Sequence, residues 1–188
     1  MYDKDIRQAL KQFLLGRKPA PLKIIDELKV NNGLARADLV AAYKTLHCFE
    51  IKSDKDTVAR LGNQIDNYDL CFEKVTLVTT EKLLSSAKDI LPEHWGIMLA
   101  IKQNDNVCFR YQRKATRNPN FSADIALLSL WKDELIEMDS ILGASPLPKK
   151  ARREFIANKI SNESSRDSVS QALSQALSLR SKFTERSM

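Results

Sequence analysis

The stretch Arg36-Ala37-Asp38-Leu39-Val40-Ala41-Ala42-Tyr43-Lys44-Thr45-Leu46-His47-Cys48-Phe49-Glu50-Ile51-Lys52 decides how the chain is read. Residues 36–43 and 46–52 are rich in Val, Leu, Ile, Tyr and Phe, which suits two strands. The connection between them lacks Asn-Gly or Asp-Gly, so a two-residue type I′ turn is not favoured. If the loop has three residues, Tyr43 to Thr45, Asp38 falls opposite Glu50. If it has two, Asp38 falls opposite Ile51 and Glu50 turns to the other face. One residue of register decides whether the two acids meet. The expectation is an odd-length loop or a β-bulge. Glu50 and Lys52 are two apart on a strand and share a face.

Upstream, residues 3–15 are expected to form an amphipathic helix with Ile6, Ala9, Leu10, Phe13 and Leu14 in one stripe. Gly16, Pro19 and Pro21 end it. Residues 22–30 fit either a strand or a helix; a strand is favoured, closed by Asn31-Asn32-Gly33. Downstream, Ser53 is placed to cap a helix reaching about Asp69, with Val58, Leu61 and Ile65 on its apolar side. Arg60, Gln64 and Tyr68 then form a polar stripe at i, i+4 and i+8. A strand over 75–80, a short helix over 81–90 and a hairpin of 96–101 with 107–112 follow. Residues 113–121 read as a basic linker. A helix over 122–141, a Pro-containing break at 145–148 and a basic helix over 149–160 come next. The Ser- and Gln-rich remainder is either a last helix or a partly disordered tail.

The 188 residues carry a net charge of +6, unevenly spread. Residues 1–101 hold 15 Lys and Arg against 14 Asp and Glu, whereas residues 102–188 hold 15 against 10. A basic C-terminal part suggests an anionic partner, and nucleic acid is the commonest; aid to solubility is the blander reading. No apolar run is long enough to span a bilayer and no signal-peptide core follows Met1, so a cytoplasmic protein without a membrane partner is expected. Cys48, Cys71 and Cys108 stand singly beside apolar neighbours, as buried thiols do. His47 and His94 are too few for a histidine metal site, and no glycine cluster builds a phosphate-binding loop. Trp95 and Trp131 read as core residues.

Paired carboxylates with an ammonium nearby suit phosphodiester hydrolysis. The acids hold a divalent cation through oxygen, and the lysine steadies developing charge. Asp38, Glu50 and Lys52 are the candidates, with Gln64 above them. A solvated ion pair between Glu50 and Lys52 is the competing reading. However, 48–52 lies among apolar strands, where charge is costly without a purpose. Glu27-Leu28-Lys29 is a second Glu-x-Lys in the same chain.

Asp38 followed by Glu50-Ile51-Lys52, within a helix, three-strand meander, helix and strand, resembles the PD-(D/E)XK restriction-endonuclease-like superfamily. Glu27 to Gly33, Arg36 to Leu39 and Glu50 to Thr57 resemble the MmcB-like DNA-repair nucleases and a related bacterial and phage family. The resemblance covers roughly residues 1–140. It implies an α/β fold with an αβββαβ core and a mixed sheet over residues 1–112, followed by a helical appendage over 122–188. It implies Mg²⁺ or Mn²⁺ held by Asp38, Glu50, the Ile51 carbonyl and Glu27, with Lys52 orienting the attacking water. The Gln64-x-x-x-Tyr68 spacing is similar to that of the RecB-like branch. Ala37 departs from the signature, which has Pro there. Residues 129–160 loosely resemble a SAP-type DNA-binding unit.

A metal-dependent DNA endonuclease or nickase is therefore expected, acting in repair, defence or mobile-element biology. A catalytically weak DNA-binding module of the same fold is the alternative, and a helix-mediated interaction protein is a third reading. Arg36, Arg60, Tyr68, Arg113, Lys114, Arg117, Lys149, Lys150, Arg152 and Arg153 are the expected contacts to DNA. A homodimer stays open.

Overall fold

The computed structural model describes residues 1–59, 61–143 and 145–180. Six strands form one sheet in the order β1-β2-β3-β4-β5-β6. They are β1 Lys23–Val30, β2 Ala35–Ala42, β3 Leu46–Lys52, β4 Lys74–Thr79, β5 Gly96–Gln103 and β6 Asn106–Arg113. The β1–β2, β2–β3 and β5–β6 pairs are antiparallel, whereas β3–β4 and β4–β5 are parallel. The sheet is thus mixed, and helices make the parallel crossovers. These are α2 Leu61–Cys71, between β3 and β4, and α3 Glu81–Lys88, between β4 and β5.

Alternation along the strands sorts side chains to two faces. Leu39 and Ala41 of β2, with Phe49 and Ile51 of β3, meet Ile6, Leu10 and Leu14 of α1, Asp3–Leu15. Val40, Ala42 and Cys48 point the other way, into a larger cluster with Leu61 and Tyr68 of α2 and Phe72 just after it. Four C-terminal helices complete that layer: α4 Ala123–Leu127, α5 Lys132–Ile141, α6 Arg153–Glu163 and α7 Arg166–Leu179. Ile156, Ile160, Val169, Leu173 and Leu177 of α6 and α7 belong to the same cluster as the sheet.

The segments expected as core, linker and appendage are therefore packed together. Asn118, in the expected linker, is fully buried and donates to the Asp69 and Phe72 carbonyls. Arg166 at the start of α7 grips Glu73 through two bonds of 2.8 and 2.7 Å. At the neighbouring parallel pair, Gly96 lets the chain approach closely: a Cβ there would lie 2.5 Å from Thr76 Oγ1 and 2.8 Å from Ala115 N. No described helix is long and apolar enough to cross a membrane.

Several expected boundaries shift. The helix expected from Ser53 has α2 starting only at Leu61. Ser53 and Asp56 instead bond to each other in a local turn, which these residue types favour over helix. The helix expected over 122–141 is two, because the Leu128 and Leu130 carbonyls turn out to accept from Arg153. The basic helix begins at Arg153, so Lys149 and Lys150 precede it. The Ser- and Gln-rich segment is α7 as far as Leu179, since Val169, Leu173 and Leu177 have a core to enter. Cys108 is exposed on β6, an edge strand with one covered face, rather than buried.

Candidate active site

The β2–β3 connection has three residues, with Ala42 paired to Leu46 and Leu39 to Phe49. In that register Asp38 comes next to Glu50, where the ladder ends. The Asp38 carboxylate replaces a ladder acceptor there: its Oδ2 takes the Ile51 N–H at 2.9 Å. Glu50 and Lys52 occupy the carboxyl end of β3, beside the crossover to β4. Open α/β sheets commonly bind ligands at such ends.

Glu50 is the centre of the arrangement and is 1% exposed. Its Oε1 accepts from Lys52 Nζ at 2.5 Å and from Gln64 Nε2 at 2.6 Å, and its Oε2 accepts from Tyr68 O–H at 2.8 Å. Gln64 and Tyr68 lie one helical turn apart on α2, so both reach the same carboxylate. Burial pushes the Glu50 carboxyl up to about 7, and the Asp38 charge adds to this; the Lys52 ammonium and Tyr68 hydroxyl offset only part. Burial also raises the Tyr68 hydroxyl, helped by the neighbouring Cys48 and Glu50 groups. Gln64 Oε1 is buried without a hydrogen-bond partner, an orphan acceptor beside the carboxylate.

Arg7 of α1 is a participant that sequence reasoning missed. Its guanidinium lies 3.1 Å from Asp38 Oδ1 and 3.0 Å from Glu27 Oε1, and it donates to the Asp38 carbonyl at 2.5 Å. Burial acts against the Arg7 charge, but Asp3 and Asp38 more than offset this and raise its pKa. The signal available was an arginine bordering the apolar stripe of α1, four residues after Asp3.

Glu27, expected as an upstream metal acid, is placed against Arg7 and against Arg36 Nε at 2.7 Å. Its φ of 53° turns it out of regular strand geometry. Among the described residues, no three His, Cys, Asp or Glu side chains gather in a metal-sized group. The structure thus brings together Asp38, Glu50, Lys52, Gln64 and Tyr68 and leaves Glu27 to cations.

The expected DNA contacts divide. Tyr68 is fully buried, with its hydroxyl on Glu50 and the Arg36 carbonyl, so it supports the carboxylate and faces no solvent. Arg113 is spent on the Trp95 and Pro92 carbonyls. Arg117 is exposed but paired with Asp167 and Glu73. Arg153 caps the carbonyls after α4. Arg36, Lys114, Lys149, Lys150 and Arg152 are exposed. Arg60 lies outside the described residues. The histidines are structural: His47 stacks on Phe49 at 4.3 Å and bonds Thr76, and His94 bonds Asp69. Trp95 is fully buried with its N–H on Asp69, and Trp131 lies under Arg180.

Among solved structures, the chain is similar to a protein of unknown function, SPO1766, from Silicibacter pomeroyi. The two are 16% identical with a TM-score of 0.39, over 50% of this chain and 60% of that one. The chain is also 31% identical over 137 residues to "Protein cII" of Enterobacteria phage P4, covering 72% of this chain. It spans about half of that relative, 52% of its length. The profile of the family described as Bacteriophage P4 protein cII matches residues 1–187, nearly the whole chain. The chain belongs to the Bacteriophage P4 protein cII family.

Proposed function

We propose that this protein is a metal-dependent DNA nuclease of the PD-(D/E)XK type, hydrolysing phosphodiester bonds at Asp38, Glu50 and Lys52. The observation that supports it is the surrounding of Glu50 by Lys52, Gln64 and Tyr68, with the Asp38 charge beside it. A buried ion pair alone is weak reason for so much polar investment. Hydrophobic residues of similar volume often stabilise as well.

The donors fit a hard divalent cation. Asp38 and Glu50 offer carboxylate oxygens, the Ile51 carbonyl follows Glu50 directly in the chain, and Gln64 Oε1 is an orphan acceptor beside Glu50. Mg²⁺ commonly takes only one or two carboxylates and keeps several waters. Such an ion, held by Asp38, Glu50 and the Ile51 carbonyl, would polarise the phosphoryl oxygen and acidify a bound water. Lys52 ends β3 with its side chain 11% exposed; in this reading its ammonium would orient the attacking water and face charge on the phosphate oxygens. Gln64 and Tyr68 hold Glu50 in one rotamer, and the Ile51 N–H holds Asp38. Arg7 compensates Asp38 when no cation does.

A second reading, a DNA-binding module of the same fold with little catalysis, draws on the absence of a three-acid group among the described residues. Incubating plasmid and branched DNA with wild type, Asp38→Ala and Lys52→Ala separates the two readings. Cutting in Mg²⁺ or Mn²⁺ but not EDTA, lost in both variants, supports the nuclease. Salt-sensitive binding without cutting in either metal supports the module.

A further inference from the structure

Glu27 also lines a cleft between β1 and the C-terminal helices, with a volume of about 480 Å³. Lys29, Asn32, Ser129, Trp131, Arg153 and Arg180 contribute to its wall, and so does Asp26. The two acids there are already compensated, Asp26 by Lys11 at 2.7 Å and Glu27 by Arg7 and Arg36. Arg180 is compensated by Glu134. Arg153 makes no ion pair among the described residues, so the cleft carries an uncompensated positive charge.

Arg153 is held rigidly but left unfinished. Its Nη2 donates to the Leu128 and Leu130 carbonyls at 2.7 and 2.8 Å, and its Nη1 to Asn32 Oδ1 at 3.1 Å. Its Nε is buried without an acceptor. Of five N–H donors in the fixed guanidinium fork, three are engaged and none meets an anion. Nε is closed to solvent, which leaves one Nη1 N–H facing the cleft's side, and a pre-positioned arginine without a counter-ion suits an oxyanion, phosphate above all.

We propose that Arg153 forms a phosphate-binding subsite for a single nucleic-acid strand running from the acid site across β1 into this cleft. The identity of the ligand rests on the nuclease reading. Glu27 borders both places, and a strand with one phosphate at Asp38 and Glu50 carries further phosphates on either side. The excess of positive charge in residues 102–188 has the matching sign.

Binding of a short fluorescein-labelled single-stranded oligodeoxynucleotide, followed by anisotropy in EDTA across a salt series, tests this without any cutting. Asn32→Asp places a carboxylate where Arg153 already donates, neutralising the cation while keeping the carbonyl contacts. Aspartate also tolerates the left-handed backbone at this position, φ 54°. Asn32→Asp and Arg153→Gln should each raise Kd roughly tenfold and lower the salt slope by about one. Asn32→Asp should keep the wild-type melting temperature or exceed it, so that lost binding is not lost folding. Wild-type affinity and slope in Asn32→Asp, or no binding by wild type at low salt, would overturn the subsite. Asp38→Asn separates the two ideas. If no metal supports cutting yet Asn32→Asp weakens binding, the subsite stands and the nuclease falls. If Mn²⁺-dependent cutting is lost in Asp38→Asn while Asn32→Asp binds normally, the nuclease stands and the subsite falls.

Discussion

The Arg7 guanidinium binds the Asp38 carboxylate at 3.1 Å, joining α1 to β2 across 31 residues of chain. Both side chains are mostly buried, 18% and 21% exposed. Without Arg7, Asp38 and Glu27 would face each other's charge with less compensation. Arg7→Met should destabilise the metal-free protein by about 1–3 kcal/mol, the partial exposure reducing the usual cost of breaking a buried pair. Mn²⁺ should restore part of that loss and stabilise Arg7→Met more than wild type. Urea unfolding with and without Mn²⁺ measures both quantities; equal Mn²⁺ stabilisation in the two proteins would remove Arg7 from the cation's account.

Glu50 makes the metal-free protein sensitive to pH. Its folded pKa of about 7 lies above the ordinary 4.5, so the folded state holds the proton more tightly than the unfolded chain. Its contribution is therefore full below about pH 4.5 and is lost as pH rises through 7, by on the order of 3 kcal/mol. His47 acts in the opposite direction. Burial, with Lys74 nearby, depresses it to about 3, so its contribution is present above pH 6.5 and lost as pH falls. Glu50→Gln isolates the first effect. In EDTA, its urea midpoint should vary less than that of wild type between pH 5 and pH 8, roughly the window of the Glu50 shift. Parallel curves for the two proteins would contradict the assignment.

Tyr68→Phe tests whether the tyrosine supports Glu50 or touches DNA. The variant loses the bonds to Glu50 and the Arg36 carbonyl, which should cost about 1–2 kcal/mol of stability. Affinity for DNA in EDTA should stay at the wild-type value. A fall in affinity with unchanged stability would restore the reading of Tyr68 as a DNA contact.

The C-terminal helices are expected to be inseparable from the sheet. Ile156, Ile160, Val169, Leu173 and Leu177 are at most 1% exposed. At about 1.5–3 kcal/mol each, their burial rivals the whole stability of a typical domain. A chain ending at residue 144 should lose its cooperative urea transition and its near-ultraviolet circular dichroism. A cooperative transition in that fragment would show that the sheet stands without α6 and α7.

Much of the site was legible because it is local. The absence of a type I′ turn signal pointed to an odd-length loop or a β-bulge, and the three-residue loop brings Asp38 next to Glu50 where the ladder ends. Spacing alone put Glu50 with Lys52, and Gln64 with Tyr68. What escaped depends on contacts across the chain. Arg7 meets Asp38 31 positions away, and Arg153 meets Asn32 121 positions away, without a local pattern to announce either. The start of α2 escaped for another reason, because Ser53 and Asp56 satisfy each other in a turn that has the letters of a helix cap. Basic residues were over-read as DNA contacts, since sequence does not show which arginines, such as Arg113, are spent on carbonyls.

The most direct measurement of the central claim is the anomalous difference map of crystals soaked in Mn²⁺ above pH 7.5, where Glu50 is ionised by the shift described above. The account predicts a peak in contact with both the Asp38 and Glu50 carboxylates, with Arg7 withdrawn from Asp38. It also predicts no peak in Glu50→Gln crystals. A peak at Glu27 alone, or none near Asp38 in the wild type, would contradict it.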